Sequence, residues 1–512
     1  MGEVDDGNPG VDLVDYYFDR VPDADTLNDA EYMYWSGNGV LDDAVLWLDA
    51  YAVSEGATKI PNLGWGGSVL DAQRGDGSTA STYPTLLTHT GENYLYRAGA
   101  SVSNNCSVPN LAAYNPTTSF SITARVAFDN WNTPSGTNDI LQRTTFADPD
   151  RQFAFFLTTG GVLRLAITPT GNNASIINID SLALNVPAGE TRWVQVTFNG
   201  NDGAGNRVTT FEIAPDQETE PTSWTVNRQV TTAGTVTFTP VTASMFMGAA
   251  IDTAAKFFRT IYRVGGVVQM DANFTTGIID GDQTSFVESS TNAATVTINR
   301  ATSGRKSVAV TRPVVLFGAD DYWEIPDNDL LDFGATDSFT VMVVNRTWGT
   351  ISNNSVAGKG TSIAATMTGY QMFFSGGVSS YRFGDGTNRV GGLAAPTPVS
   401  GQLRTLSMHR DVSLDRAWAT TDGVLSGVTT VDTTTGSLAN SDTFRVGGSV
   451  SLGYSDMELF AVAVWRRALT DAEVQQVAQF YEVTTSPSWV HLLQLEDGTP
   501  MLDESGLPIE LE

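Results

Sequence analysis

The chain is predicted to be all-β, with one domain plan used twice, and three observations carry the prediction. Apolar residues recur in short alternating or doubly apolar runs, such as SFSITARVAF (119–128) and RWVQVTFNG (192–200). Gly, Asn and Asp separate these runs where hairpin turns would fall. Charged residues make up only 17% of 512 residues, so Thr, Ser, Asn and Gly must supply the polar surface, a balance that suits strands and turns.

Taken in order, residues 1–39 form an acidic N-terminal arm. Acids from Glu3 to Glu31 face a single base, Arg20, and aromatics such as Tyr16, Tyr17, Phe18, Tyr32, Tyr34 and Trp35 are interleaved. Such an arm either docks its aromatics on a neighbouring subunit or packs on its own first domain. The first β-domain is placed at 40–266, with further runs at FAFFLTTGGVLRLAI (153–167), RVTTFEI (207–213) and TVTFTPV (235–241). The second is placed at 267–483, with SFTVMVVNRTW (338–348), GYQMFFSGG (369–377), LRTLSMHRD (403–411) and MELFAVAVW (457–465).

The two halves superimpose as sequence. FAFFLTTGGVLRLAI parallels YQMFFSGGVSSYRFG, and VLWLDAY (45–51) has its counterpart in VVQMDANF (267–274). A repeat of about 220 residues is a domain duplication, far beyond solenoid periods. Because 263–274 serves the end of one copy and the start of the next, a rigid tandem without a flexible linker is expected.

One helix interrupts the β pattern. In RRALTDAEVQQV, Thr470 and Glu473 are spaced as a capping box, and Leu469 and Val474 as a hydrophobic staple. Val474, Val477 and Phe480 or Tyr481 then share one face. The preceding strand is apolar on both sides, which predicts a central strand covered on both faces. The helix is expected to act as a lid over the sandwich core.

Trp193–Gly200, the Gly358-Lys359-Gly360 turn ahead of Gly369–Phe374, and the closing WRRALTDAEV resemble the laminin-G-like, concanavalin A-like jelly roll. The resemblance covers about residues 40–483 and implies two tandem β-sandwich domains. The acidic C-terminal tail, 484–512, carries a loose repeat in Glu496-Asp-Gly-Thr-Pro500 and Glu504-Ser-Gly-Leu-Pro508. It resembles the ends of minor tail proteins of phages that infect actinobacteria, and a terminal β-forming strand can add to a neighbouring sheet edge. A frayed tail is the plain alternative.

The three histidines, His89, His409 and His491, have no local triad cue, and no G-x-S-x-G elbow occurs. No strand carries the alternating carboxylates of a glycoside hydrolase. The acid clusters Asp148/Asp150, Asp320/Asp321 and Asp327/Asp329 sit in turn-like contexts, where Asp commonly satisfies backbone amides. By the resemblance, Asp320, Asp321, Asp327 and Asp329 are the positions to check for calcium. Trp131, Trp348, Tyr381, Trp418 and Tyr454 lie in or near loops and are the candidates for a carbohydrate platform, but Trp and Tyr also fill sandwich cores, and core is the favoured reading for each. No catalytic, cofactor or metal residue is assigned, and no carbohydrate-binding residue.

A net charge of −29 disfavours nucleic-acid partners. The single cysteine, Cys106, excludes an intramolecular disulfide. No apolar run approaches the ~20 residues of a membrane span, and no apolar signal region opens the chain, so synthesis in the host cytoplasm is expected. The function expected is that of a non-enzymatic virion protein, a minor tail component at the tail tip or fibre. It would serve as scaffold and as a receptor-binding module for host-envelope glycans. Other virion proteins would be its partners through arm and tail, in an oligomer. A secreted glycan-active enzyme or its lectin module is the alternative, and capsid decoration is a further one.

Overall fold

The computed structural model describes residues 39–53, 57–75, 84–89, 91–97, 104–144, 150–249, 253–300 and 307–318. It also describes 320–347, 354–360, 366–376, 378–395, 401–422, 424–449, 453–454, 457–483, 491–492 and 510–511. The acidic arm up to residue 38 and most of the tail therefore lie outside the described residues. At the tail, the His491–Leu492 and Glu510–Leu511 strands pair with each other.

Strands follow one another with few helices. After the one-turn helix α1 (Gly39–Asp42) come β1 (Leu46–Asp49), β2 (Lys59–Ile60), β3 (Ala72–Arg74) and β4 (Thr85–Leu87). Next are β5 (Tyr94–Arg97), β6 (Asn105–Val108), β7 (Ser119–Phe128), β8 (Asn138–Thr144), β9 (Arg151–Leu157) and β10 (Val162–Ile167). They continue with β11 (Ile177–Ala183), β12 (Thr191–Asn199), β13 (Asn206–Ala214), β14 (Thr225–Ala233), β15 (Met245–Met247) and β16 (Ala255–Val264). A third group is β17 (Val267–Asn273), the one-turn helix α2 (Phe274–Gly277), β18 (Ser285–Val287), β19 (Thr295–Asn299) and β20 (Ser307–Val310).

The last group opens with β21 (Val314–Phe317), β22 (Trp323–Ile325), β23 (Phe339–Thr347), β24 (Asn354–Lys359), β25 (Thr368–Ser375) and β26 (Val378–Asp385). It continues through β27 (Arg389–Ala395), β28 (Leu403–Asp411), β29 (Arg416–Thr421), β30 (Val424–Val431), β31 (Phe444–Val446), β32 (Gly453–Tyr454) and β33 (Met457–Trp465). Helix α3 (Asp471–Val483) closes it.

These strands build two sandwiches of one topology. In the first, sheet I runs β14-β13-β12-β7-β16-β5-β20 and sheet II runs β11-β10-β9-β8-β15-β6-β19-β18. In the second, sheet III runs β30-β29-β28-β23-β33-β21-β4 and sheet IV runs β27-β26-β25-β24-β31-β22-β3-β2. The orders match position by position. The inner faces enclose separate cores, one around Phe120, Phe155, Phe198 and Tyr262, the other around Phe339, Tyr370, Phe383 and Phe444.

The matching orders correct the expected division at 266/267. β17–β20 lie after that point, yet β17 pairs with β16, β19 with β6 and β20 with β5, all in the first sandwich. Conversely, β1–β4 precede the first sandwich, yet β1 pairs with β33, β3 with β22 and β4 with β21 in the second. Segment 46–87 therefore occupies in the second sandwich the slots that 267–310 occupies in the first. The likeness of VLWLDAY to VVQMDANF is a likeness of slots. β33 pairs along one side with β23, and along the other first with β21 and then with β1. β16 divides its free side between β5 and β17 in the same way.

A shared apolar junction holds the sandwiches together. Tyr94, Tyr96, Phe258 and Val308 from sheet I cluster with Trp47, Met342, Phe460 and Trp465 from sheet III and with Val474, Val477, Phe480 and Tyr481 of α3. A bulge in each central strand creates it. Register shifts opposite Val344/Asn345 and between Phe257 and Arg259 leave Phe460 and Phe258 unpaired, and both rings turn outward into the junction. Arg346 and Arg312 stack on Phe460, and Arg125 stacks on Phe258.

The helix is capped as expected. Thr470 N donates to Glu473 Oε2 at 2.7 Å, and Glu473 N donates to Thr470 Oγ1 at 3.3 Å. Its place differs from the expected lid over the core. β33 is buried on both faces, with Leu459, Val462 and Val464 in the core, and α3 covers the outward face at the junction.

Candidate functional site

Most residues singled out in the sequence are structural. Trp131 is buried, edge-on to Phe128 at 4.8 Å, and donates Nε1 to the Glu190 carbonyl at 2.9 Å. Trp418 stacks on His409, and Tyr381 is in the second core. Tyr454 is half-buried with its ring 5.9 Å from Tyr322. Trp348 and Asp148 lie outside the described residues.

His409 accepts or donates at both ring nitrogens, Nδ1 with Thr340 Oγ1 at 3.0 Å and Nε2 with Ser407 Oγ at 2.6 Å. Burial pushes its imidazole down to about 3. A neutral ring sealed under Trp418 has no path to a substrate, so this Ser–His contact is a core hydrogen bond. His89 bonds Asn93 Oδ1 at 2.9 Å, and the His491 side chain lies outside the described residues. Cys106 is buried in β6, where burial pushes its thiol up to about 12.

The loop acids are engaged with the chain itself. Asp321 Oδ2 accepts from Gly318 N at 2.7 Å, and Asp150 Oδ1 accepts from Thr242 N at 2.7 Å. Asp329 begins a one-turn helix capped by Asn328, while Asp320 is exposed. Asp327 pairs with Lys359, which also reaches Asp332, each at 2.6 Å. Gly358-Lys359 is thus the end of β24 and no turn, and its fully buried ammonium supplies a cation between the two carboxylates. Among the described residues, no three His, Cys, Asp or Glu side chains converge as a metal site.

Two surface features remain. One is a depression of about 240 Å3 lined by Gly358, Gly360, Ser441, Asp442, Thr443, Arg445 and Ser449. It is smaller than usual ligand pockets, and Arg445 is already spent on Glu324 at 2.7 Å. The other is the loop between β2 and β3, PNLGWGGSVLD (61–71).

This loop is built rigidly. Asn62 is fully buried; its Oδ1 accepts from Trp47 N and Gly64 N at 2.8 and 2.9 Å. Its Nδ2 donates to the carbonyls of Val45, Gly64 and Gly67. Trp65 N and Gly66 N donate to Ala44 O and Val45 O, both at 3.0 Å. A Cβ at Gly64 or Gly66 would fall 2.5 Å from those carbonyl oxygens, so only glycine allows the approach. The backbone is pinned, yet the Trp65 indole is 53% exposed, and Val69 beside it 60%. Among the described tryptophans, no other stands so far into solvent.

Trp65 was missed as a candidate. The available cue was G-W-G-G, a bulky ring between residues that serve close backbone approach and pack no core.

No family model matches the chain, and no curated protein matches it. Among solved structures, domains LG4-5 of the mouse laminin α1 chain are 14% identical, with 73% of this chain and 91% of that one covered, at a TM-score of 0.28. The binding domain of Paraclostridial Mosquitocidal Protein 1 is 12% identical over 38% of this chain and 48% of its own, at 0.27. The CBM40 of Ruminococcus gnavus IT-sialidase, bound to α2,3-sialyllactose, is 17% identical over 28% and 83%, at 0.24. The chain is all-β, a pair of two-sheet sandwiches of one topology. At these TM-scores the likenesses assign it no ligand. No helix among the described residues is long and apolar enough to cross a membrane.

Proposed function

We propose that this protein is a non-catalytic recognition protein of a phage virion, a tail-tip or fibre component that meets host-envelope glycans through the Trp65 loop. One observation carries the recognition reading: an indole more than half exposed on a backbone held by the buried Asn62. A ring fixed in advance gives stacking area to a sugar face with little ordering entropy lost on binding. The repeat in the tail, Glu496–Pro500 and Glu504–Pro508, supports the virion setting. The two sandwiches then act as a rigid mount.

The test is retention of the full chain on immobilised host-envelope polysaccharide, beside Trp65→Ala. Retention of the parent protein, its loss in the variant and no release of reducing ends is the expected result. Equal retention of both proteins contradicts the Trp65 role, and released reducing ends contradict the non-catalytic reading. Antibody labelling of purified virions away from the tail contradicts the location.

A further inference from the structure

The strand registers carry an inference about a partner, independent of the glycan reading. The first sandwich is complete within residues 94–310. The second takes β1–β4 from the far side of it, with residues 88–313 between β4 and β21. Four short strands lie at the crossing. β5 pairs with β20 and β4 with β21, although β4 leads directly into β5 and β20 directly into β21. Two plain hairpins have been traded for two cross-pairings. That is the arrangement of a reciprocal segment exchange, here made between two halves of one chain.

The equivalence extends to the loops. In 46–87 the buried Asn62, just after β2, accepts from Trp47 N of β1. In 267–310 the buried Glu288, just after β18, accepts from Asp271 N of β17 at 2.8 Å. Each one-turn segment that follows β1 or β17 is capped by the last strand residue, Asp49 on Tyr51 N and Asn273 on Thr275 N. The two segments are equivalent units, each filling the same slots of its sandwich.

The two connections differ. Residues 311–313 are held in place: Arg312 is buried, with Nη1 on the Tyr481 carbonyl at 2.8 Å. The connection after β4 has Gly91 at φ +90 with open space at its Cβ position, and it is bridged by His89 on Asn93 Oδ1 at 2.9 Å and by Tyr94 Oη donating to the Thr88 carbonyl at 2.5 Å. Segment 46–87 is therefore joined to the first sandwich by a surface connection that two side-chain hydrogen bonds close, and 267–310 to the second by a buried one.

We propose that 46–87 is a transferable unit whose second partner is another copy of this chain: it completes the second sandwich of that copy, giving a strand-exchanged oligomer. The slot it enters is filled by the same residues whether the donor is the same chain or its neighbour, so every β1–β33, β3–β22 and β4–β21 contact is kept. Only the connection after β4 distinguishes the two states, which is why exchange of this kind is a low-cost route to dimers. Closure within one chain acts at an effective concentration on the order of millimolar, so exchange is expected to rise as chain concentration approaches that range.

The test uses the cross-strand pair Thr85 and Leu316. Full chains carrying Thr85→Cys alone and Leu316→Cys alone are unfolded, mixed and refolded at concentrations from about 1 µM towards about 1 mM, then oxidised. Exchange brings the two introduced thiols together only between different chains. The expected result is a disulfide-linked heterodimer of twice the monomer mass, increasing with concentration. The double variant, Thr85→Cys with Leu316→Cys, reports whether the pair can bond at all. If the double variant closes its own disulfide while the mixture gives no linked heterodimer at any concentration, the proposal is wrong. Dimers seen by light scattering without that link overturn it as well, because they associate without exchange.

Discussion

Asp49 and His409 are both wholly enclosed, and burial moves their protons in opposite directions. Asp49 is pushed up to about 6, chiefly by desolvation; hydrogen bonds from Tyr481 and Tyr51 N oppose the shift. Its folded form binds a proton that the unfolded chain has already lost at pH 5. Its contribution is therefore most favourable below pH 4 and declines as pH rises to about 6, by on the order of 3 kcal/mol. His409 works the other way, stabilising above the unfolded value of 6.5 and losing that contribution as pH falls towards about 3. In Asp49→Asn the Asp49 slope should vanish. Denaturant midpoints of the two proteins should differ more at pH 7.5 than at pH 4.5, with the variant gaining at the higher pH, and a constant difference would refute the assignment. Trp65→Ala should leave stability within about 0.5 kcal/mol, since Trp65 is a surface residue outside the packed cores. It should lower glycan retention at least ~10-fold, the loss expected of a central aromatic anchor. Trp131, Tyr381 and Trp418 are buried, as the reading of sandwich aromatics as core expected, but which face each one takes was not legible, because side-chain direction in a strand depends on a register that sequence does not display.

Helix α3 was the most legible element, since its signals are local. Thr470, Glu473, Leu469 and Val474 stand at fixed offsets, and Thr470→Ala should cost about 1 kcal/mol, read as a lower thermal midpoint. Its destination was not legible. The apolar alternation of β33 is broken by the bulge at Phe460, which moves Ala461 to the outer face, and a bulge leaves no mark in composition. Lys359 misleads in a similar way. A lysine between glycines reads as a turn, yet here it ends a buried strand between Asp327 and Asp332. Removing it by Lys359→Ala leaves two carboxylates facing each other, and a loss on the order of 3 kcal/mol is expected in urea unfolding. A loss no larger than that of an exposed lysine would show that the pair is solvated.

At the scale of the whole molecule, the duplication was readable and the partnership was not. The segments 46–87 and 267–310 resemble each other because they fill the same slots, so their sequences say nothing about which sandwich each one completes. The strand pairings show it, β4 with β21 and β20 with β5. The consequence is a closed body in which the first strands complete the last sheet, while Asp280 and Arg346 meet across the junction at 3.5 Å. The most direct measurement is to insert a protease site at Gly91, cut the folded chain and pass it through a sizing column without denaturant. The N-terminal fragment should co-elute with the remainder and separate only when the second sandwich unfolds. Release of that fragment from a remainder that still melts with both sandwiches intact would contradict the arrangement.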